Sequence, residues 1–193
     1  MKERKMSTKT LVMGAILTAL VVILQFMGAF IRFGTFSISL VLVPIVIGAA
    51  TCGSFVAAWL GLVFGVVVLA SGDAAAFLAV NPLGTVITVL LKGVLSGFLA
   101  GVLYKQAAKL NTYFATAVAA VVCPVVNTGV FLLGCVAFFM EPVTAWATEA
   151  GLGGSVAQYM ILFLVGGNFI FELLVNIVLT PCVVRLLNIR KKG

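Results

Sequence analysis

The chain has 193 residues, of which 63% are hydrophobic and only 9% charged, with a mean hydropathy of +1.30. A soluble domain is nearer half apolar and a quarter charged, so this composition excludes a water-soluble globule and indicates an integral membrane protein. The net charge of +7 does not signal nucleic acid, because the basic residues sit at the chain ends and in one loop, and the absence of histidine removes the commonest metal ligand and general base.

A spanning helix needs roughly 20 mostly apolar residues, and six such segments are read in order. The first covers about 10–30 and is interrupted by Arg32 and Gly34. Everything after it is equally apolar, so it reads as a retained helix rather than a cleaved signal peptide. The second covers about 36–51 and contains Pro44; a tight turn at "TCGS", 51–54, leads into the third, about 54–70. The loop "SGDAAAFLAVNP" precedes the fourth, about 81–104, and "KQAAKLN" joins it to the fifth, about 112–138, which carries Pro124. A connector, 139–157, holds Glu141, Trp146 and Glu149; the sixth segment runs over about 158–187. Neither an internal repeat nor a second domain is evident, so residues 1–193 read as one membrane domain.

Charge sets the expected orientation, because short cytoplasmic loops are enriched in Lys and Arg. Lys2, Arg4, Lys5 and Lys9 precede the first helix, Lys105 and Lys109 join the fourth and fifth, and Arg185, Arg190, Lys191 and Lys192 end the chain. Six helices place all of these on one side and Asp73, Glu141 and Glu149 on the other, with Arg32 the lone outer cation. The expected fold is an all-α bundle of six transmembrane helices with both termini cytoplasmic.

Ionisable side chains inside the hydrocarbon are costly and usually face a cavity or a partner. Lys92 lies near the middle of the fourth helix and Glu172 at a compatible depth in the sixth, so the two can form an ion pair that locks helices or can meet a polar solute. Asn168, Glu172 and Asn176 recur every fourth residue, one polar stripe down one helix face; such amides serve as interhelical glue or line a cavity. In "CPVVNTG" Pro124 frees a carbonyl one turn earlier, with Asn127 and Thr128 just outward of it, which bends a helix or opens carbonyls to a ligand. Asn81, at the start of the fourth helix, adds an amide at the outer mouth. Together these predict an outward-facing pocket, with the loop over 71–80 able to close it.

No phosphate-binding GxxxxGK[ST] loop is present, and without histidine the ordinary zinc and Ser-His proteases are excluded. The four cysteines, Cys52, Cys123, Cys135 and Cys182, form no CxxC pair and read as packing residues. No catalytic group, cofactor or metal site is expected. Two readings remain: a substrate-binding membrane subunit that needs an external motor, or a membrane receptor or assembly protein without transport activity. The polar cavity favours the first.

Six helices in about 190 residues, a basic-led first helix carrying Ala15-x-x-x-Ala19, and the stretches "ISLVLVPIVIGAATCG", "TVLLKGVLSGFLAGVLYK" and "CPVVNTGVFLLG" resemble the S component of an energy-coupling factor (ECF) vitamin transporter. The resemblance implies a subunit of a bacterial cell membrane that binds a vitamin from outside. It implies partners too: a transmembrane coupling protein and two cytoplasmic ATPases that drive delivery inward. It also implies that the small-residue face of the first helix, Ala15 and Ala19 with Gly14 alongside, docks on the coupling protein, since small residues let helix backbones approach closely in lipid. By the same resemblance the ligand-binding set is Arg32, Asn81, Lys92, Asn127, Thr128, Asn168 and Glu172. The chain lacks the aromatic-rich pocket signal of a flavin site, and Arg32, Lys92 and the amides suit a small polar solute bearing a carboxylate. Pantothenate is favoured; a thiamine precursor, folate and cobalamin are the alternatives.

Overall fold

The computed structural model describes residues 7–30, 32–33, 36–37 and 40–189. The basic cluster of Lys2, Arg4 and Lys5, the interruption at Gly34, and Arg190, Lys191 and Lys192 lie outside the described residues.

Nearly all of the described chain is helical. Five helical segments are long and apolar enough to cross a membrane. They are α1 (Thr8–Phe30), α3 (Ser54–Ser71), α5 (Pro82–Ala107), α6 (Thr112–Phe138) and a composite last segment. That composite begins as α8 (Val156–Tyr159), widens into a π-helix over Met160–Gly166, and continues as α9 (Gly167–Ile189). Short helices α4 (Ala75–Val80) and α7 (Met140–Glu149) occupy the two connectors at one end of the bundle.

The second expected span is corrected by the structure. A helix over 36–51 was expected, but Phe36–Ser37 forms β2, paired antiparallel with β1 (Arg32–Phe33), and helix α2 covers only Leu42–Thr51. Ten residues rise about 15 Å, half the hydrocarbon thickness. The short helix is nevertheless the best-covered element, buried at every residue from Leu42 to Ala49. A helix that is apolar all round belongs in the interior, and α2 packs against α1, α3, α5, α6 and α9. Pro44 is accommodated because it lies in the first turn, where its missing N–H has no intrahelical acceptor to lose.

The turn from α2 to α3 closes at Gly53, whose φ of 96° is one that only glycine adopts cheaply. Helix α5 is the spine, with α3 packed along one side and α6 along another. The α3–α5 seam is set by small residues. A β-carbon on Gly93 would strike the Gly61 carbonyl, one on Gly97 the Ala57 carbonyl, and one on Gly101 would lie 2.5 Å from Ser54 Cα. Close backbone approach of this kind is the usual device of helix association in lipid. On the outside, bulky apolar side chains such as Leu11, Ile16, Phe55, Leu133 and Leu174 stand exposed around the bundle, far more apolar surface than a soluble monomer shows. The four cysteines are free thiols, and Cys123 and Cys135 are buried, as packing residues would be.

Candidate functional site

A cavity of about 280 Å³ lies among α1, α3, α4, α5, α6 and the composite last segment. Its polar lining comes from separate elements. Helix α1 supplies Gln25, and the turn after α3 supplies Asp73. Helix α5 supplies Thr85, Thr88 and Lys92, on the face that also carries Val89. Helix α6 contributes Asn127 and Thr128, and α9 contributes Asn168 and Glu172. Five of the seven sequence-predicted binding residues are therefore brought together: Lys92, Asn127, Thr128, Asn168 and Glu172.

The other two are not placed in the lining. Asn81 is the N-cap of α5: its side-chain oxygen accepts from the Gly84 backbone N–H at 2.9 Å, with Pro82 at the first helical position. That Asn-Pro start is a helix-initiation signal, which accounts for the residue without a ligand. Arg32 contributes its backbone to β1, opposite Ser37; the expectation for its side chain lies outside the described residues. Asn176, the third member of the predicted polar stripe, falls below the lining, where its Nδ2 donates to the Glu172 carbonyl at 2.8 Å.

Lys92 and Glu172 share the cavity but do not form the ion pair that one reading allowed. Among the described residues no ion pair or hydrogen bond involves the Lys92 ammonium. It lies over the ring faces of Phe64 at 5.5 Å and Phe131 at 5.4 Å. Ring quadrupoles attract a cation in this position, so the charge is held while its N–H donors stay available. Glu172, 3% exposed, accepts from Asn168 Nδ2 at 3.3 Å. Gln25, 4% exposed, donates through Nε2 to Asp73 Oδ2. Thr85 is satisfied within its own helix, its hydroxyl donating to the Asn81 carbonyl at 2.8 Å.

The apolar lining overturns the expectation of an aromatic-poor pocket. Phe64, Phe77, Phe131 and Phe139 come from four different places in the chain, and Tyr159, Phe163 and Phe169 from the composite last segment. Phe77 on α4 meets Phe131, Phe139 and Trp146 edge to face, with centroids 5.0–5.6 Å apart. These contacts anchor α4 beside the cavity, where the loop over 71–80 was expected to close. The π-helix sits at the same wall, supplying Phe163, Leu164 and Val165. Extra backbone turns of this type recur at functional sites. Gln25 and the aromatics were missed by sequence reading; the only available signal for Gln25 was an amide inside an otherwise apolar first span.

The small-residue face of α1 points outward. Ala15 and Ala19 are exposed, next to exposed Leu11, Ile16 and Leu20, whereas Gly14 is half-buried and its β-carbon position is 3.5 Å from Val56 on α3.

A family model described as "ECF transporter, substrate-specific component" matches residues 9–187. The chain belongs to this family. No curated protein and no solved structure matches it. This ECF substrate-specific component is thus a multi-pass membrane protein and the substrate-binding subunit of a transporter, not a member of an enzyme family. Substrate-specific components bind a small molecule and work with a membrane coupling protein and ATPases. The S component's cavity suits the first of those tasks: enclosed, largely aromatic, with a few convergent polar groups.

Proposed function

We propose that this S component captures a small water-soluble vitamin, pantothenate in the first instance, from the outer face of a bacterial cell membrane. It then passes the vitamin inward with a coupling protein and two ATPases. The observation that carries the choice of ligand is Lys92: a cation inside the cavity, held over two aromatic faces and joined to no carboxylate among the described residues. A ligand carboxylate is the natural partner for it. The cavity, about 280 Å³, falls at the lower end of the roughly 300–1,000 Å³ common for ligand sites, which favours a compact vitamin over cobalamin.

The chain is read as one membrane domain with both ends cytoplasmic. In that orientation the α5–α6 connector with Lys105 and Lys109 faces the cytoplasm, and the cavity lies toward the opposite end, beside α4 and α7. Exposed Ala15 and Ala19 then form the docking face for the coupling protein, with Gly14 contributing at its edge. The test is calorimetric titration of the purified chain with pantothenate. Lys92→Met should weaken binding by about 5- to 150-fold, the range for an unmet charged or polar ligand group, while the melting temperature holds. Unchanged affinity would remove Lys92 from the site.

The aromatic lining favours a second reading, in which the vitamin carries a flat ring. Tyr159 and Phe163, already stacked at 5.4 Å and 12°, would extend such a stack. A thiamine precursor or folate that outcompetes pantothenate would establish it.

A further inference from the structure

Two carboxylates line the cavity, and each holds a primary amide by its nitrogen. Gln25 Nε2 donates to Asp73, and Asn168 Nδ2 donates to Glu172. An ionised carboxylate can only accept, so these bonds fix which end of each amide is nitrogen. The oxygens, Gln25 Oε1 and Asn168 Oδ1, are then buried with no donor. Thr88 Oγ1 and Asn127 Oδ1 on the same lining are buried without a partner as well. A buried acceptor left unmet is costly, and folded proteins tolerate few of them. Four around a single cavity specify what fills it. Lys92 presents the opposite chemistry, donors and no acceptor.

We infer that the ligand carries hydroxyl or N–H donors at two separate positions, one for the Gln25–Asp73 pair and one for the Asn168–Glu172 pair, with one carboxylate or carbonyl acceptor for Lys92. Its class is a hydroxy- or amino-acid derivative with polar donors on both sides of its acceptor. The inference rests on reading the cavity as the substrate site, and it narrows that reading from size and charge to a hydrogen-bonding pattern. A flat ring lacking donors fails it even where the aromatic lining would accept the ring.

The full-length chain in detergent is titrated with pantothenate, with its di-O-methyl ether, and with the alcohol that replaces its carboxylate. Both analogues should bind at least about tenfold more weakly than pantothenate, one lacking donors and the other the anion. In Gln25→Leu or Asn168→Leu the penalty for O-methylation should shrink, whereas a merely structural residue would weaken all three compounds alike. Equal binding of pantothenate and its methyl ether would overturn the inference, since solvent rather than ligand would then meet those oxygens, and would leave the substrate-binding reading standing. Failure of pantothenate to bind at all removes that vitamin, and the comparison passes to the compound that mass spectrometry identifies with the purified chain. A co-purified compound without donors at two positions overturns the inference; one that has them and loses about tenfold on methylation upholds it.

Discussion

Gly97→Ala adds one methyl group at the tightest kind of contact in this protein. The new β-carbon would sit against the Ala57 carbonyl, 2.6 Å from its carbon. Ordinary van der Waals contact begins near 3.4 Å, so α3 and α5 must part by roughly 1 Å, an overpacking that typically costs about 1–3 kcal/mol. The obstacle is backbone and cannot rotate aside. Parting the seam also loosens the neighbouring Gly93–Gly61 and Gly101–Ser54 approaches, which lie on the same face of α5. Against this stands the intrinsic helix preference of Ala over Gly, about 1 kcal/mol. The clash wins, and the apparent melting temperature of the purified chain should fall by several degrees, at about 2–4 °C per kcal/mol for a chain of this length. Gly129→Ala in α6 supplies the control, because a β-carbon there meets nothing within 4 Å; it should leave the melting temperature unchanged or raise it. A Gly97→Ala protein that melts at or above the wild type would refute the account of the seam.

Two further outcomes separate scaffold from site and site from partner face. Asn81→Ala should destabilise the protein by about 1 kcal/mol through the lost cap and leave pantothenate affinity unchanged in calorimetry; a loss of affinity would return Asn81 to the ligand. Ala15→Trp or Ala19→Trp puts a bulky group on an exposed face of α1, so the isolated subunit should fold and bind as before while co-purification with the coupling protein fails. Loss of ligand binding in the isolated subunit would place that face inside the bundle instead.

What could be read from the sequence follows from what lipid makes expensive. A polar group in hydrocarbon must be justified, so Lys92, Asn127, Asn168 and Glu172 stood out one by one, and all four line one cavity. Apolar residues carry no such signal. In water a hydrophobic stripe marks the buried face, but here lipid and cavity accept the same side chains. Nothing local distinguishes Phe131, which lines the cavity, from Phe138, exposed on the same helix. The aromatic lining was therefore invisible until the fold was known. Hydropathy also misjudged the second span: the apolar run over 36–51 is continuous, yet its first part pairs as a strand, and a run of that kind looks alike as strand or helix. Asn81 was misassigned for a different reason. Its neighbour Pro82 already marked it as a helix cap, but an amide at a helix mouth reads as a ligand group if the cap is not considered.

The glycines connect the packing to the chemistry. Lys92 immediately precedes Gly93, and Phe64 lies one turn beyond Gly61; these two glycines meet at the α3–α5 seam. Because neither has a side chain, the helices approach closely enough for the ammonium to rest 5.5 Å from the Phe64 ring centroid. The same device recurs on the other side of α5, where a β-carbon on Gly134 of α6 would collide with the Thr88 side chain. That second close approach brings Phe131, one turn before Gly134, to the opposite side of the ammonium, with its centroid 5.4 Å away. A lysine in the hydrocarbon would ordinarily be neutralised by a carboxylate or would reach for the interface. Here two seams of missing side chains hold it between two aromatic faces, which leaves its hydrogen bonds for a ligand to take. Widening either seam should therefore move a ring away from the charge before it disturbs any polar residue of the cavity.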